Sequence, residues 1–174
     1  TTSGKGGGGG VFLDKGGKFT MANGFVTGNL SRMQGGGIGT FFLTNDKLTE
    51  GPKATITING GFICANKATE HEGGGVHCDS GNHCLIDGTS TAVYISNNRM
   101  EVASKWGGGG IYIGHAADLK IYNSLITKNT SAGRGGGFAA CYTSNTFFYL
   151  GKGTAIFDNS SGNRSLADKD DRTM

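Results

Sequence analysis

The chain has 174 residues, enough for one domain, and Gly (34) with Pro (1) makes up about a fifth of it, just short of a disorder signature. Net charge is +3 with the basic residues scattered, so no nucleic-acid footprint is present, and no apolar stretch reaches membrane-span length. Four Cys do not make a disulfide scaffold.

The chain opens on "TTSGKGGGGG", which has no charged and apolar leader and reads as the middle of something. We expect a single domain over residues 1–174 that is a fragment of a longer protein. Its first unit continues into a strand-like Val11-Phe12-Leu13, a loop "DKGGK", a second strand "FTMANG" and a third, "FVTGN". The second unit repeats the order: "QGGGIGT", a long loop "FLTNDKLTEGPK", then "TITINGG" and "FICAN". The third reads "EGGGVHC", the loop "DSGNHCLIDGTST", "VYISNN" and a weaker "MEVAS", with Ala103 and Ser104 in the Asn region. The fourth is "WGGGGIYIG", "HAAD", "KIYNS" and "LITKN". The fifth is "RGGGFAA" and "AIFDN", decaying into the polar tail "SSGNRSLADKDDRTM", where fraying is expected.

Each glycine block runs into one apolar residue: Val11, Ile38, Val76, Ile111 and Phe138. A flexible linker has no reason to recur five times in front of a strand. Asn23, Asn59, Asn97, Asn123 and Asp158 close the second strands, and Asn29, Asn66 and Asn129 the third. The strands are rich in Ile, Val, Phe, Tyr and Thr, and no segment holds a 3.6-residue apolar period, so no helix is expected outside the tail.

Three short strands cannot bury an apolar side alone; stacked repeats can. The predicted fold is all-β: a right-handed, single-stranded parallel β-helix (β-solenoid) of about five coils, at 1–34, 35–72, 73–107, 108–134 and 135–174. Asn at like positions would hydrogen-bond up a ladder. Glycine would serve corners with no room for a Cβ. Length variation is expected in one loop per coil, after the first strand. Replacing Gly109 or Gly36 with Val should cost more than replacing the loop residues Gly16 or Gly81.

The stretches "ITKNTSAGRGGGFAACYTS" and "FVTGNLSRMQGGGIGT" resemble the paired GGA[ILV] and FxxN motifs of the polymorphic outer-membrane protein repeats of autotransporter-like adhesins. Gly36-Gly37-Ile38, Gly74-Gly75-Val76 and Gly109-Gly110-Ile111 carry the first half; Val26 to Asn29, Ile63 to Asn66 and Ile126 to Asn129 carry the second. A third Gly stands where the family has Ala, and Val or Ile where it has Phe. The resemblance implies an exported, extracellular or cell-surface β-helix with adhesion as its work.

The densest polar cluster is "HEGGGVHCDSGNHC", with His71, Glu72, His77, Cys78, Asp79, His83 and Cys84. Strand alternation turns Cys78 inward and His77 out. The preferred reading is a buried thiol with loop histidines; a Cys78–Cys84 disulfide and a zinc site are the alternatives. Cys64 and Cys141 read as isolated thiols. Asp14, Asp46, Asp79, Asp87 and Asp118 read as solvated loop acids, without the paired carboxylates of a glycosidase or the Ca²⁺-binding nonapeptide. Asn29, Asn129, Asn159 and Asn163 begin Asn-x-Ser sequons, open to glycosylation in a eukaryotic secretory pathway. Trp106 reads as a cap on the edge of the core, with stacking on a sugar as the alternative. No GK[ST] ends any glycine run, which removes a P-loop.

No catalytic, cofactor-binding or metal residue is assigned, and no cofactor. The expected function is a non-enzymatic, structural or adhesive segment. Its partners would be neighbouring coils of the parent chain or another copy, and a host surface or glycan, without nucleic acid or membrane insertion. The alternatives are a carbohydrate-binding or polysaccharide-degrading module and a filament subunit stacking end to end.

Overall fold

The computed structural model describes residues 7–41, 51–103, 106–149 and 153–162, and every regular element in them is a strand. The first coil holds β1 (Val11–Leu13), β2 (Lys18–Met21), β3 (Phe25–Thr27) and β4 (Leu30–Ser31). The second holds β5 (Ile38–Thr40), β6 (Thr55–Ile58), β7 (Gly61–Cys64) and β8 (Lys67–Ala68). The third holds β9 (Val76–Cys78), β10 (His83–Asp87), β11 (Val93–Ser96) and β12 (Arg99–Met100). The fourth holds β13 (Ile111–Ile113), β14 (Asp118–Tyr122), β15 (Ser124–Thr127) and β16 (Thr130–Ser131). The fifth holds β17 (Phe138–Ala140), β18 (Asn145–Tyr149), β19 (Ala155–Phe157) and β20 (Ser160–Ser161).

Like strands of successive coils pair in parallel, giving four sheets of five strands each. The molecule is a right-handed parallel β-helix. Val11, Ile38, Val76, Ile111 and Phe138 fall in one register column, as the glycine blocks predict.

Each coil has four strands, against the three expected. The fourth is two residues long, too short to show an alternating pattern. Two further assignments change with it. The supposed loop "DSGNHCLIDGTST" contains β10, whose Cys84 and Ile86 point into the core between Ile56 and Ile58 below and Leu119 and Ile121 above. "AIFDN" is the third strand of its coil, the second being β18. Extra length is also not confined to one loop. The second coil carries it between β5 and β6, the third between β10 and β11 and before its closing glycines.

The corner between the third and fourth strands never varies. It is always two residues: one with positive φ, then Asn. Gly28, Ala65, Asn97, Lys128 and Asp158 take the first place, with φ between 55° and 68°. Asn29, Asn66, Asn98, Asn129 and Asn159 take the second. Asn97 and Asp158 therefore belong to this corner, not to the ends of second strands. Asn98 supplies the rung expected to be missing at Ala103 and Ser104, the latter outside the described residues.

The asparagines form one continuous ladder. Asn29 Nδ2 donates to Asn66 Oδ1 (2.8 Å), Asn66 to Asn98 (3.0 Å), Asn98 to Asn129 (2.9 Å) and Asn129 to Asn159 (2.9 Å). The backbone N–H of each lower rung donates to the same oxygen. The second Nδ2 proton reaches a third-strand carbonyl of the preceding coil, as Asn98 does to Ile63 at 2.9 Å.

The glycine corner packs against this ladder, which explains why the two motifs travel together. A Cβ on Gly110 would lie 3.0 Å from the Asn129 amide. One on Gly109 would lie 2.3 Å from the carbonyl oxygens of Gly136 and Thr130. Gly108 has φ +79°, and a Cβ there would meet the Ile111 carbonyl at 2.2 Å. Inside the corners, isoleucines from the first three sheets fill a narrow core.

Candidate ligand pocket on the outer face of the first sheet

The middle residue of each first strand points away from the core. In β9 and β13 these are His77 and Tyr112, register partners whose rings stack at 5.5 Å and 12°. Outward residues of a β-helix are normally wet, yet His77 is 1% exposed and Tyr112 3%. Segments that precede the glycine corners fold over them and bring Gln34, His71, Glu72 and Trp106. On the other side the chain turning out of the first sheet brings Asp79 and His115. Together they line a cavity of about 350 Å³.

Trp106 stands edge-on to Tyr112 (6.5 Å, 74°) and to His115 (6.3 Å, 62°). It is a wall of this cavity and takes no part in the apolar core, so the edge-capping role does not describe it. Asp79 fits because residue 114 is glycine; a Cβ there would meet its carboxylate at 1.9 Å. Asp79 Oδ1 accepts the Ser80 N–H, and the Asp79 N–H donates to Thr40 Oγ1 at 3.1 Å.

The electrostatics are those of charge taken out of water. Burial pushes Asp79 up to about 6, against hydrogen bonds from the Ser80 and His115 backbone and the nearby His115 ring. Burial also raises Glu72. It drives His77 down to about 3, with His71 adding to the effect, so His77 is neutral at pH 7. The 3.8 Å approach of His77 Nε2 to Asp79 Oδ2 is then a polar contact, not an ion pair. His115 Nδ1 lies 3.8 Å from Asp79 Oδ1, and His71 Nδ1 the same distance from Glu72 Oε2. Gln34 Oε1, His77 Nδ1 and His115 Nδ1 are buried and have no hydrogen-bond partner among the described residues.

The polar cluster picked out in the sequence is thus divided. His71, Glu72, His77 and Asp79 meet in the cavity. His83 lies on the second sheet, half exposed and paired with Asp118 at 2.9 Å. Cys78 and Cys84 point into the core as free thiols, and burial raises Cys78 and pushes Cys84 up to about 12. Cys64 and Cys141 are free as well. Among the described residues no three His, Cys, Asp or Glu are placed to hold one metal ion. Of the four described aspartates among these only Asp79 enters the cavity; Asp14 is exposed, Asp87 and Asp118 are end residues of second-sheet strands, and Asp46 lies outside the described residues. Asn29, Asn129 and Asn159 have their side-chain amides committed to the ladder, and Asn163 lies outside the described residues.

Gln34, Tyr112 and His115 are cavity residues that carried no motif. The available signal was positional: His77 and Tyr112 hold the same place in consecutive units, as do Asp79 and Gly114.

No protein-family model, curated protein or solved structure matches this chain. The class it belongs to, a parallel β-helix, rests on its own strand pairing.

Proposed function

We propose that the chain is a segment of an exported, cell-surface β-helix that is structural and adhesive, in the manner of the polymorphic outer-membrane protein repeats it resembles. The supporting observation is an aromatic strip on the outer face of the third sheet. Phe25, Phe62 and Tyr94 stack at 5.0 and 4.8 Å with rings within 9° of parallel, and Phe25 is 70% exposed. A flat aromatic column, exposed at Phe25 and half-buried at Phe62 and Tyr94, gives a partner apolar area on a rigid support. Beads coated with the chain should adhere to epithelial cells, and a Phe25→Ser, Phe62→Ser, Tyr94→Ser variant should lose at least tenfold of that adhesion at unchanged fold. Adhesion no better than that of uncoated beads overturns the reading.

A second reading, a carbohydrate-binding or polysaccharide-degrading module, is favoured by Glu72 and Asp79 sharing one cavity beside an aromatic wall. Its test is incubation with polysaccharides, following new reducing ends. Turnover abolished by Asp79→Asn would replace the adhesive reading with this one.

A further inference from the structure

We propose that the cavity on the outer face of the first sheet binds the ammonium group of a small organic cation, such as an amino sugar or a lysine side chain. This goes beyond the adhesive reading and does not depend on it.

Glu72 and Asp79 both line the cavity, and among the described residues its lining contains no Lys or Arg. The imidazoles that approach the two carboxylates stop at 3.8 Å, beyond hydrogen-bond reach, and His77 is uncharged at pH 7. Among the described residues the two buried acids are therefore faced only by imidazoles that stop short of hydrogen-bond distance, and by no Lys or Arg. Folding gains nothing from such an arrangement, and a positively charged ligand restores the balance.

Gln34 is 5% exposed and its Oε1 is an unmet acceptor in the cavity wall. It joins the carboxylate oxygens as an acceptor, beside the unpartnered His77 Nδ1 and His115 Nδ1, whose roles follow the imidazole tautomer. An ammonium brings three donors and no acceptor, which is the complement. An anionic ligand is repelled by the same surface.

Tyr112 and Trp106 supply aromatic walls set at a steep angle to each other, a corner in which a cation meets ring electrons. The acceptors are spread around a cavity of about 350 Å³ and do not converge on one point. That suits an organic ion with a carbon frame over a bare metal ion, and the volume lies at the small end of ligand pockets.

Matched ligands test this on the whole chain by isothermal titration calorimetry. Glucosamine is compared with N-acetylglucosamine, and Nα-acetyl-lysine amide with its Nε-acetylated form; each pair differs in the charge on one nitrogen. At least one amine should bind, and at least tenfold more tightly than its neutral partner. The pair that responds distinguishes a glycan source from a protein source. Glu72→Gln and Asp79→Asn should each weaken binding at least tenfold while melting at or above the parent temperature. Gly114→Ala, which keeps both charges but displaces the Asp79 carboxylate, should weaken it too. Equal binding of charged and neutral partners overturns the proposal in favour of a neutral-sugar site. Heat-silent titrations with both amines at 50 mM overturn it outright. The matched pairs decide the matter even if a variant fails to fold.

Discussion

Gly109 and Gly28 look alike in the sequence and differ in what surrounds them. Gly109 has backbone oxygens 2.3 Å from where its Cβ would be, whereas Gly28 has φ +68° and nothing within 4 Å. Other coils fill the Gly28 position with Ala65, Asn97, Lys128 and Asp158 at φ 55°. Gly28→Asn should therefore cost under about 1 kcal/mol, Asn tolerating this region, while Gly109→Ala should cost several times more by forcing two coils apart. Thermal melting of the two variants checks it; equal losses would refute the close-packed corner. Gly16 and Gly81 are poor controls, since both have positive φ (72° and 69°). The cavity makes a second prediction at this scale. Asp79, raised to about 6 from 3.8, destabilises the fold when ionised, so its penalty is full above pH 6 and gone below about 4. Asp79→Asn should then be more stable than the parent at pH 7, by about 1–3 kcal/mol, with the advantage vanishing by pH 4. Glu72 is shifted in the same direction, but His77 opposes both. Held neutral down to about 3 against an ordinary 6.5, His77 costs stability as pH falls below 6.5. His77→Phe, which preserves the stack on Tyr112, should lose less melting temperature than the parent between pH 7 and pH 4.

At the scale of elements, the invariant unit is the two-residue corner with its Asn. Asn98 is the fully buried central rung. Its Oδ1 accepts from the Asn66 N–H and Nδ2, and its own amide donates to Asn129 and Ile63. Asn98→Ala strands buried donors and an acceptor in both neighbouring coils and should cost about 3 kcal/mol. A drop in denaturation midpoint no larger than for an exposed loop Asn, such as Asn23, would count against the ladder as a stabilising element. The legibility of the fold has its explanation here. Glycine blocks mark the start of each coil because three adjacent positions exclude Cβ, so the first-sheet register is readable from composition alone. The ladder is harder to read, since Asn97 and Asn98 are adjacent and only their backbone angles tell which one is the rung. Two-residue fourth strands leave no periodicity, and β10 is masked by the turn residues on both sides of it. The pocket is the least legible part. Gln34, Glu72, Asp79, Trp106 and His115 come from four coils and meet only because unequal lengths of chain before the glycines fold back over the first sheet.

Over the whole molecule, bonding is local in one dimension: each coil pairs only with the coil before and the coil after it. β1 and β17 are the outer strands of the first sheet, and β2 with β18, β3 with β19 and β4 with β20 are those of the other three. Outer strands present backbone groups on one side, and the ladder makes the two ends complementary, acceptor side to donor side. If copies of this chain stack head to tail through these described outer strands, as the filament-subunit alternative expects, the sedimentation coefficient grows with concentration; a strict monomer at several milligrams per millilitre rules that alternative out.

The one-way Asn ladder also bears on how such a rod responds to force. A pull along its axis loads the coils in series, and every rung between two coils must fail before that coil yields. What is then released is one whole coil, of 27 residues at 108–134 or 38 at 35–72. Drawn out at about 3.5 Å per residue, these give steps of about 95 and 130 Å. A stalk built this way lengthens under tension in discrete increments, absorbing work at each one, while the coils farther along stay folded.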